Sequence, residues 1–135
     1  MDSMDEKLLE LLRDNARESF VNLARTLSTS EGTVRARVKK LQDDGVIRRF
    51  TLRTAGSNIK TLIEIEVGQN VHTSDISSKI AKWKGVEQVY EITGEHDILV
   101  VAEASNTAAL NEIIERIREF PQVKSTRSRL ILKEV

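Results

Sequence analysis

Cysteine is absent from this 135-residue chain, which excludes disulfide bonds, thiolate nucleophiles and cysteine-based zinc sites. Aromatic residues make up only 4% of the sequence, so the core has to be built from aliphatic side chains. No apolar run approaches the roughly 18 residues that a membrane-spanning helix needs. The acidic start MDSMDEK also lacks the basic and apolar regions of a signal peptide. We therefore expect a cytoplasmic protein that does not associate with a membrane.

The formal net charge is also zero, but the charges are unevenly distributed along the chain. The stretch from Ser28 to Arg53 contains seven basic and three acidic residues, which gives it a charge of +4 and leaves −4 on the rest. A basic segment of this kind in an otherwise acidic chain is typical of a surface that binds a polyanion.

Three short amphipathic segments open the chain, and the third carries most of the basic residues. Helix ends are predicted from serine caps and one glycine: Ser3 with Glu6 as a capping box, Ser19, Ser30, and Gly45 after the third helix. A tight turn at Ser28-Thr29 separates the second and third helices. This order predicts a helix-turn-helix that binds double-stranded DNA. The alternative is a three-helix bundle that binds nothing, and the uneven charge argues against it.

A helical projection of the third segment separates its inner and outer faces. With Val34, Val38 and Leu41 facing inward, Gly32 and Ala36 point most directly outward. Because the first turn of a recognition helix reaches the bases, the candidates for base contact are Glu31, Gly32, Thr33 and Arg35. Ser30, just before the helix, is a further candidate for DNA binding. The candidates for phosphate contact are Arg37, Lys39, Lys40, Arg48, Arg49 and Arg53. For each basic residue, a solvated helix face is the alternative.

The hydrophobic pattern after Gly45 predicts a strand or wing over 46–53, which completes a DNA-binding domain at 1–53. Small and polar residues predict a hinge over 54–60. The rest of the chain, 61–135, alternates as β-α-β-β-α-β, the ferredoxin-like order, so the fold class is α+β. Its elements are predicted as a strand at 63–67, a helix at 73–84, strands at 86–93 and 98–102, a helix from Asn106 to Pro121, and a strand at 125–135. The open face of this sheet is expected to be aliphatic and to be buried by self-association.

Long stretches of the chain resemble the Lrp/AsnC family, also called feast/famine regulators. The stretch SFVNLARTLSTSEGTVRARVKKLQDDGVIRRF is similar to the family's DNA-binding signature. The stretch TGEHDILVVAEA is similar to its effector-domain loop and following strand, and PQVKSTRSRLILKEV to its closing strand. Two positions depart from the family pattern. Ile98 stands where an aromatic residue often follows the loop aspartate, and Ser28-Thr29 where the turn often has glycine.

The resemblance implies a sequence-specific transcriptional regulator, of amino-acid metabolism, whose second domain senses a ligand and joins chains into homodimers. It also implies that the dimers assemble into tetramers or octamers and bind a small amino acid between them. The implied effector-binding residues are Gly94, Glu95, His96 and Asp97 of the loop, with Thr126 and Ser128 of the closing strand. A plain hairpin turn is the alternative for the loop.

The loop chemistry agrees with an amino-acid ligand. Glycine lets backbone amides approach a carboxylate closely, and an aspartate can pair with an α-ammonium group. Because Glu91, Glu95 and Asp97 make this region acidic, lysine or arginine is the expected effector.

Residues that could carry catalysis are scarce. The chain has two histidines, His72 before a helix and His96 in a turn, and neither a glycine-rich phosphate loop nor paired metal ligands. We therefore predict no enzyme, no catalytic residue, no metal and no cofactor besides the effector. Two alternatives stay open: an architectural DNA-binding protein without an effector, and an enzyme similar to haem-pathway decarboxylases of related architecture.

Overall fold

The computed structural model describes all 135 residues, which divide into two compact units, Met1–Thr54 and Ala55–Val135. The first unit contains α1 (Ser3–Asp14), α2 (Phe20–Thr26) and α3 (Glu31–Asp43). The second contains β1 (Ile59–Val67), α4 (Thr73–Ile80), β2 (Val86–Glu91), β3 (Ile98–Ala104), α5 (Thr107–Arg118) and β4 (Val123–Leu130). None of these helices combines the length and the apolar character that crossing a bilayer requires.

The three helices of the first unit pack around one aliphatic core, which confirms the helix-turn-helix. The predicted inner stripe of α3 is buried, and its partners come from both other helices. The buried residues are Leu8 and Leu12 of α1, Leu23 and Ala24 of α2, and Val34, Val38 and Leu41 of α3. Burial of one side of α3 leaves the opposite side facing out of the unit.

The predicted ends of α2 and α3 are confirmed. The hydroxyl oxygens of Ser19 and Ser30 each accept a hydrogen bond of 3.1 Å from the backbone N–H three residues further on. Ser28 adopts a left-handed conformation with φ of 52°, so a serine occupies the turn position where glycine has the lower steric cost. Asp44 is the C-cap of α3. Gly45 follows it with φ of 71°, a left-handed conformation that ends the helix.

The cap predicted for α1 at Ser3 and Glu6 is wrong, because the capping box lies one residue earlier. The Asp2 carboxylate accepts a hydrogen bond of 2.9 Å from the Asp5 N–H, and the Asp5 carboxylate accepts one of 3.0 Å from the Asp2 N–H. Both carboxylates also meet the positive end of the helix dipole, which favours an aspartate over a serine at this position.

The strand or wing predicted over 46–53 is wrong, since residues 46–58 contain no strand. A strand needs a second strand to pair with its backbone N–H and C=O groups, and the chain places none beside this segment. Phe50 and Leu52 of the segment are exposed. Ile59 and Lys60, assigned to the hinge by sequence, are the first residues of β1.

The second unit is a four-stranded antiparallel sheet in the order β2-β3-β1-β4, which confirms the ferredoxin-like arrangement. Several predicted boundaries differ, and the strands predicted at 63–67 and 98–102 are the longer β1 and β3. The helix predicted to Lys84 ends at Ile80, because the chain then tightens into i→i+3 hydrogen bonds before Gly85. The strand predicted over 86–93 ends at Glu91, where the β2–β3 loop begins. The strand predicted over 125–135 is β4, Val123–Leu130, since β1 offers no residue to pair beyond Ile59.

The two faces of the sheet differ in composition. The face covered by α4 and α5 holds the core, which includes Ile63, Ile65, Ile76, Ile80, Ile98, Val100, Ala102, Ile113 and Ile117. Alternation and register place a small aliphatic patch of Leu62, Leu99 and Val101 on the other face. That patch is surrounded by Lys60, Glu64, Glu66, Glu103, Arg127 and Arg129. The expectation of an aliphatic open face is therefore met only at this patch, because charged side chains occupy about half of the positions on that face.

Gly85 joins α4 to β2 with φ of 87°, and a Cβ there would lie 3.1 Å from both the Glu103 carbonyl oxygen and the Ile113 Cδ1. We expect Gly85→Ala to lower the free energy of unfolding of the second unit by about 1–3 kcal/mol, through backbone strain and this contact. Urea unfolding followed by the fluorescence of Trp83, the single tryptophan, measures the effect. The control is Gly56→Ala, whose Cβ meets nothing closer than 3.9 Å. Equal stability of the two variants would contradict the prediction.

Candidate nucleic-acid interface and effector loop

The outward side of α3 is a line of small residues that ends in a lysine. Gly32 and Ala36 are exposed, as the helical projection predicted, and Lys40 one turn further on is exposed as well. At the start of the helix, the hydroxyls of Ser30 and Thr33 lie 2.8 Å apart and share a hydrogen bond. Such a line lets the backbone of a helix come close to another molecule.

Exposed ion pairs flank this line along one ridge of α3. The Arg35 guanidinium lies 2.9 Å from the Glu31 carboxylate, and the Lys39 ammonium lies 2.7 Å from the Asp43 carboxylate. Arg35 also stacks 4.8 Å from the centre of the Phe20 ring. Exposed i,i+4 pairs stabilise a helix by only about 0.3–0.5 kcal/mol. Arg35 and Lys39 can therefore exchange these partners for bases or phosphates at little cost.

Arg37 is held within the first unit. Its Nη1 donates hydrogen bonds of 2.9 and 2.8 Å to the two carboxylate oxygens of Asp2, and one of 2.8 Å to the Asp5 carboxylate. The Asp5 N–H and the Arg37 guanidinium lower the pKa of the Asp2 carboxyl to about 2. The Asp2 N–H and Arg37 likewise lower the pKa of Asp5, and the two carboxylates raise the pKa of Arg37.

A groove of about 720 Å³ runs between the first turn of α1 and the outward side of α3. It is lined by Met1, Asp2, Asp5, Ser30, Gly32, Thr33, Ala36, Arg37 and Lys40. Lys40 forms no ion pair, and neither does Arg48. Arg48 and Arg49 lie exposed in the irregular segment after α3. The predicted base and phosphate contacts therefore share one unit, with Arg37 as the most buried of the cations.

The loop from Gly94 to Asp97 joins β2 to β3 and is fastened at one end. The Asp97 Oδ2 accepts a hydrogen bond of 2.9 Å from the Val67 N–H, and the Asp97 N–H donates to the Ile65 carbonyl oxygen at 2.9 Å. Asp97 thus anchors the loop to β1, whereas Gly94 and Glu95 at the tip are exposed. Glu91, another acid predicted to favour a basic effector, accepts a hydrogen bond from Ser77 of α4.

His96 points to the open face of the sheet, where its Nδ1 lies 3.8 Å from the Glu64 Oε2. Arg129 approaches the same oxygen to 3.6 Å, yet this buried oxygen accepts no hydrogen bond.

Thr126 and Ser128 lie on the other face, because they pair directly with Ile65 and Ile63 of the core. The structure therefore does not bring these two hydroxyls together with His96.

Sequence reasoning missed a second groove, of about 370 Å³, at the start of β4. Arg118, Val123, Lys124, Ser125 and Thr126 line it, and the Arg118 Nε donates to the Thr126 hydroxyl at 3.2 Å. The groove contains two cations, although Lys124 also pairs with Glu66 at 3.4 Å and Arg118 with Glu115 at 2.8 Å. No sequence signal indicates it, because it depends on how β4 pairs with β1 and packs beside α5.

Comparison with known proteins places both units in one family. Residues 1–42 match the AsnC-type helix-turn-helix domain, and residues 60–135 match the Lrp/AsnC ligand binding domain. The HTH-type transcriptional regulator LysM of Sulfurisphaera tokodaii is 41% identical over 134 residues, covering 98% of this chain and 96% of that protein. LysM of Saccharolobus solfataricus is 40% identical, covering 98% of this chain and 94% of that protein.

Solved structures share the fold along the whole chain. The L-Met complex of a transcriptional regulator from Neisseria meningitidis has a TM-score of 0.78 at 23% identity, covering 100% of this chain and 92% of that one. The leucine response regulatory protein of Mycobacterium tuberculosis has a TM-score of 0.85 at 25% identity, covering 99% and 94%.

Gly32 offers a test of close approach to DNA. Its Cβ would meet nothing nearer than the Ser30 Oγ at 4.0 Å, so the fold itself does not need a glycine there. Because alanine favours a helix over glycine, we expect Gly32→Ala to stabilise the first unit by about 0.5 kcal/mol. We expect the same methyl group to weaken DNA binding about tenfold, or about 1.4 kcal/mol.

Thermal unfolding and fluorescence anisotropy with labelled duplex DNA measure the two effects. Gln42→Ala, at an exposed position near the other end of α3, is the control and should leave DNA affinity unchanged. A Gly32→Ala protein that binds DNA as tightly as the parent would contradict the close approach.

Proposed function

The chain belongs to the Lrp/AsnC family of transcriptional regulators, and from this premise we propose that α3 reads operator DNA along the line Gly32, Ala36 and Lys40. The observation that carries the proposal is Gly32 on the outward side of α3. The fold leaves room for a larger residue at this position, yet the residue is glycine. The relatives are named as transcriptional regulators, so the protein is not an enzyme and the decarboxylase-like alternative is not favoured.

The residues around this line divide into two proposed roles. Arg35 lies in the second turn of α3 with a weakly held partner, which supports a bidentate contact to guanine, along with contacts from Ser30, Glu31 and Thr33. Lys40 and Arg48, which form no ion pair, support phosphate contacts, and Lys39 and Arg49 extend the same basic surface.

We propose that the active form is a homodimer or a larger assembly of dimers. One helix-turn-helix contacts too little DNA to specify a site, and two helices one helical turn apart, roughly 34 Å, read a pseudo-palindrome. The patch of Leu62, Leu99 and Val101 on the open face, with acids and arginines around it, supports pairing of two sheets.

The second unit is a ligand-binding domain of this family, and a small amino acid is its proposed effector. Glu95, exposed at the loop tip and without a hydrogen bond, supports an effector with a basic side chain, lysine or arginine. Arg118 and Lys124 in the second groove supply the positive charge that an α-carboxylate needs. Ligand would act on DNA binding through different affinities for two assembly states.

Lys40 gives the test of DNA contact. Each phosphate contact contributes about 0.9 to the slope of log affinity against log salt concentration. We expect Lys40→Gln to weaken binding to all duplexes and to reduce the slope by about 0.9, since one counterion-releasing contact is lost. Anisotropy titrations from low to high salt measure it. Lys7→Gln on the exposed side of α1 is the control, and an unchanged slope in Lys40→Gln would contradict the assignment.

The effector is tested by thermal unfolding with each of the twenty amino acids in turn. A ligand at about 100 times its dissociation constant adds about 2.7 kcal/mol to stability. We expect lysine or arginine to raise the melting temperature, and Glu95→Gln to reduce that rise without changing the melting temperature of the free protein. Stabilisation by apolar or acidic amino acids alone would contradict the basic effector. No stabilisation by any of them would favour the architectural alternative.

A further inference from the structure

We propose that Arg37 is a positioning residue, which holds the first turn of α1 beside α3 and so sets the shape of the groove next to the DNA-reading line. This replaces the phosphate contact that its place in a basic helix predicts. The inference rests on the proposed function, in that α3 is taken to be the helix that meets DNA. The contacts of Arg37 with Asp2 and Asp5 are called the α1–α3 clamp below.

The clamp is compact, and two of its three side chains, those of Arg37 and Asp5, are mostly shielded from solvent, whereas the Asp2 side chain is 57% exposed. A single nitrogen, Nη1, donates to three carboxylate oxygens at 2.8–2.9 Å. The Arg37 side chain is 27% exposed and that of Asp5 is 15% exposed. By contrast, the side chains of the Glu31–Arg35 pair are 49% and 64% exposed. The exposed pairs can open towards DNA at little cost, but the clamp cannot.

Charge also argues against a phosphate contact by Arg37. The clamp combines one guanidinium with two carboxylates, and its sum of −1 repels a phosphate. If Arg37 turned towards DNA, the partly shielded Asp5 carboxylate would lose its cation and keep only the hydrogen bond from the Asp2 N–H, which is unfavourable. Lys40 lines the same groove without any carboxylate partner, so it is the better ligand for a phosphate.

The carboxylates that hold Arg37 are the same ones that cap α1. Asp2 and Asp5 accept each other's backbone N–H groups and thereby fix the first turn of the helix. Arg37 joins this turn to α3 across separations of 35 and 32 residues in sequence. Asp2 and Asp5 at the start of α1 line the same groove as Gly32 and Ala36 of α3. The clamp therefore sets the distance between the first turn of α1 and the line proposed to approach the bases.

The test uses the full chain and four variants: Arg37→Gln, Asp2→Asn with Asp5→Asn, all three changes together, and Arg37→Lys. Asparagine keeps a side-chain oxygen that can cap α1, so the cap is retained when the charges are removed. Melting of the helices is followed by circular dichroism. Affinity is measured over a range of salt for a duplex selected by the parent from random sequence, and for an unrelated duplex of equal length. Lys40→Gln is the matched control on the same helix.

We expect Arg37→Gln and the asparagine pair each to lower the melting temperature, and the triple variant to lower it no further. Arg37→Gln should reduce the ratio of selected to unrelated affinity about tenfold, with the salt slope unchanged. Because one nitrogen makes all three contacts, Arg37→Lys should restore the ratio and the melting temperature. Lys40→Gln should instead reduce the slope by about 0.9 and leave the melting temperature unchanged.

A reduced slope in Arg37→Gln with the parent's melting temperature would overturn the proposal, since that is the behaviour of a phosphate contact. Additive melting temperatures in the triple variant, or an unchanged affinity ratio in Arg37→Gln, would also overturn it. If the parent selects no duplex at all, the proposed function fails, and positioning for DNA fails with it. The melting temperatures then report on the clamp alone.

Discussion

Burial of one side of α3 is the constraint on which the rest of the first unit depends. Val34 is fully buried and Val38 and Leu41 nearly so, against Leu8 of α1 and Leu23 of α2. Since an α-helix advances 100° per residue, this burial alone determines which side chains face outward. Rotating α3 would expose several aliphatic side chains, each worth about 1.5–3 kcal/mol when buried. The direction of the proposed DNA-reading line is therefore a consequence of hydrophobic packing.

Ion pairs then determine which cations on the outward side of α3 are available to bind DNA. Every cation of α3 except Lys40 has a carboxylate within hydrogen-bonding distance, at Glu31, Asp43 or the start of α1. A helix whose cations were all unpaired would bind any polyanion, because phosphate attraction carries no sequence information. Internal pairing of this kind lowers the non-specific part of the affinity. The shape of the DNA and the contacts to its bases then contribute a larger share of the affinity for a site.

Most local features of the fold were predictable from sequence, with the α1 cap as an exception, and contacts between distant residues were not. The Ser19 and Ser30 caps, the inner stripe of α3 and the order of helices and strands along the chain follow from patterns within a few residues. The clamp joins residues 35 positions apart, so the sequence alone predicted Arg37 to be a phosphate-binding cation like its neighbours on the helix. The separation of Thr126 from His96 depends on strand register, and the missing wing depends on a pairing partner that sequence cannot supply. Predictions of site chemistry from residue type thus hold only where neighbours in sequence are also neighbours in space.

The effector loop combines a fixed base with an open tip, and this combination suits a sensor. Asp97 ties the loop to β1 through its carboxylate and its backbone N–H, and these two hydrogen bonds fix the base of the loop. Gly94 has φ of 113°, and no atom lies within 4 Å of the position that a Cβ would take, so the tip is accessible. If the proposed effector binds at this loop, little of its binding energy is spent on ordering the protein. More of that energy is then available to favour one assembly state over another, and only such a difference can change DNA binding.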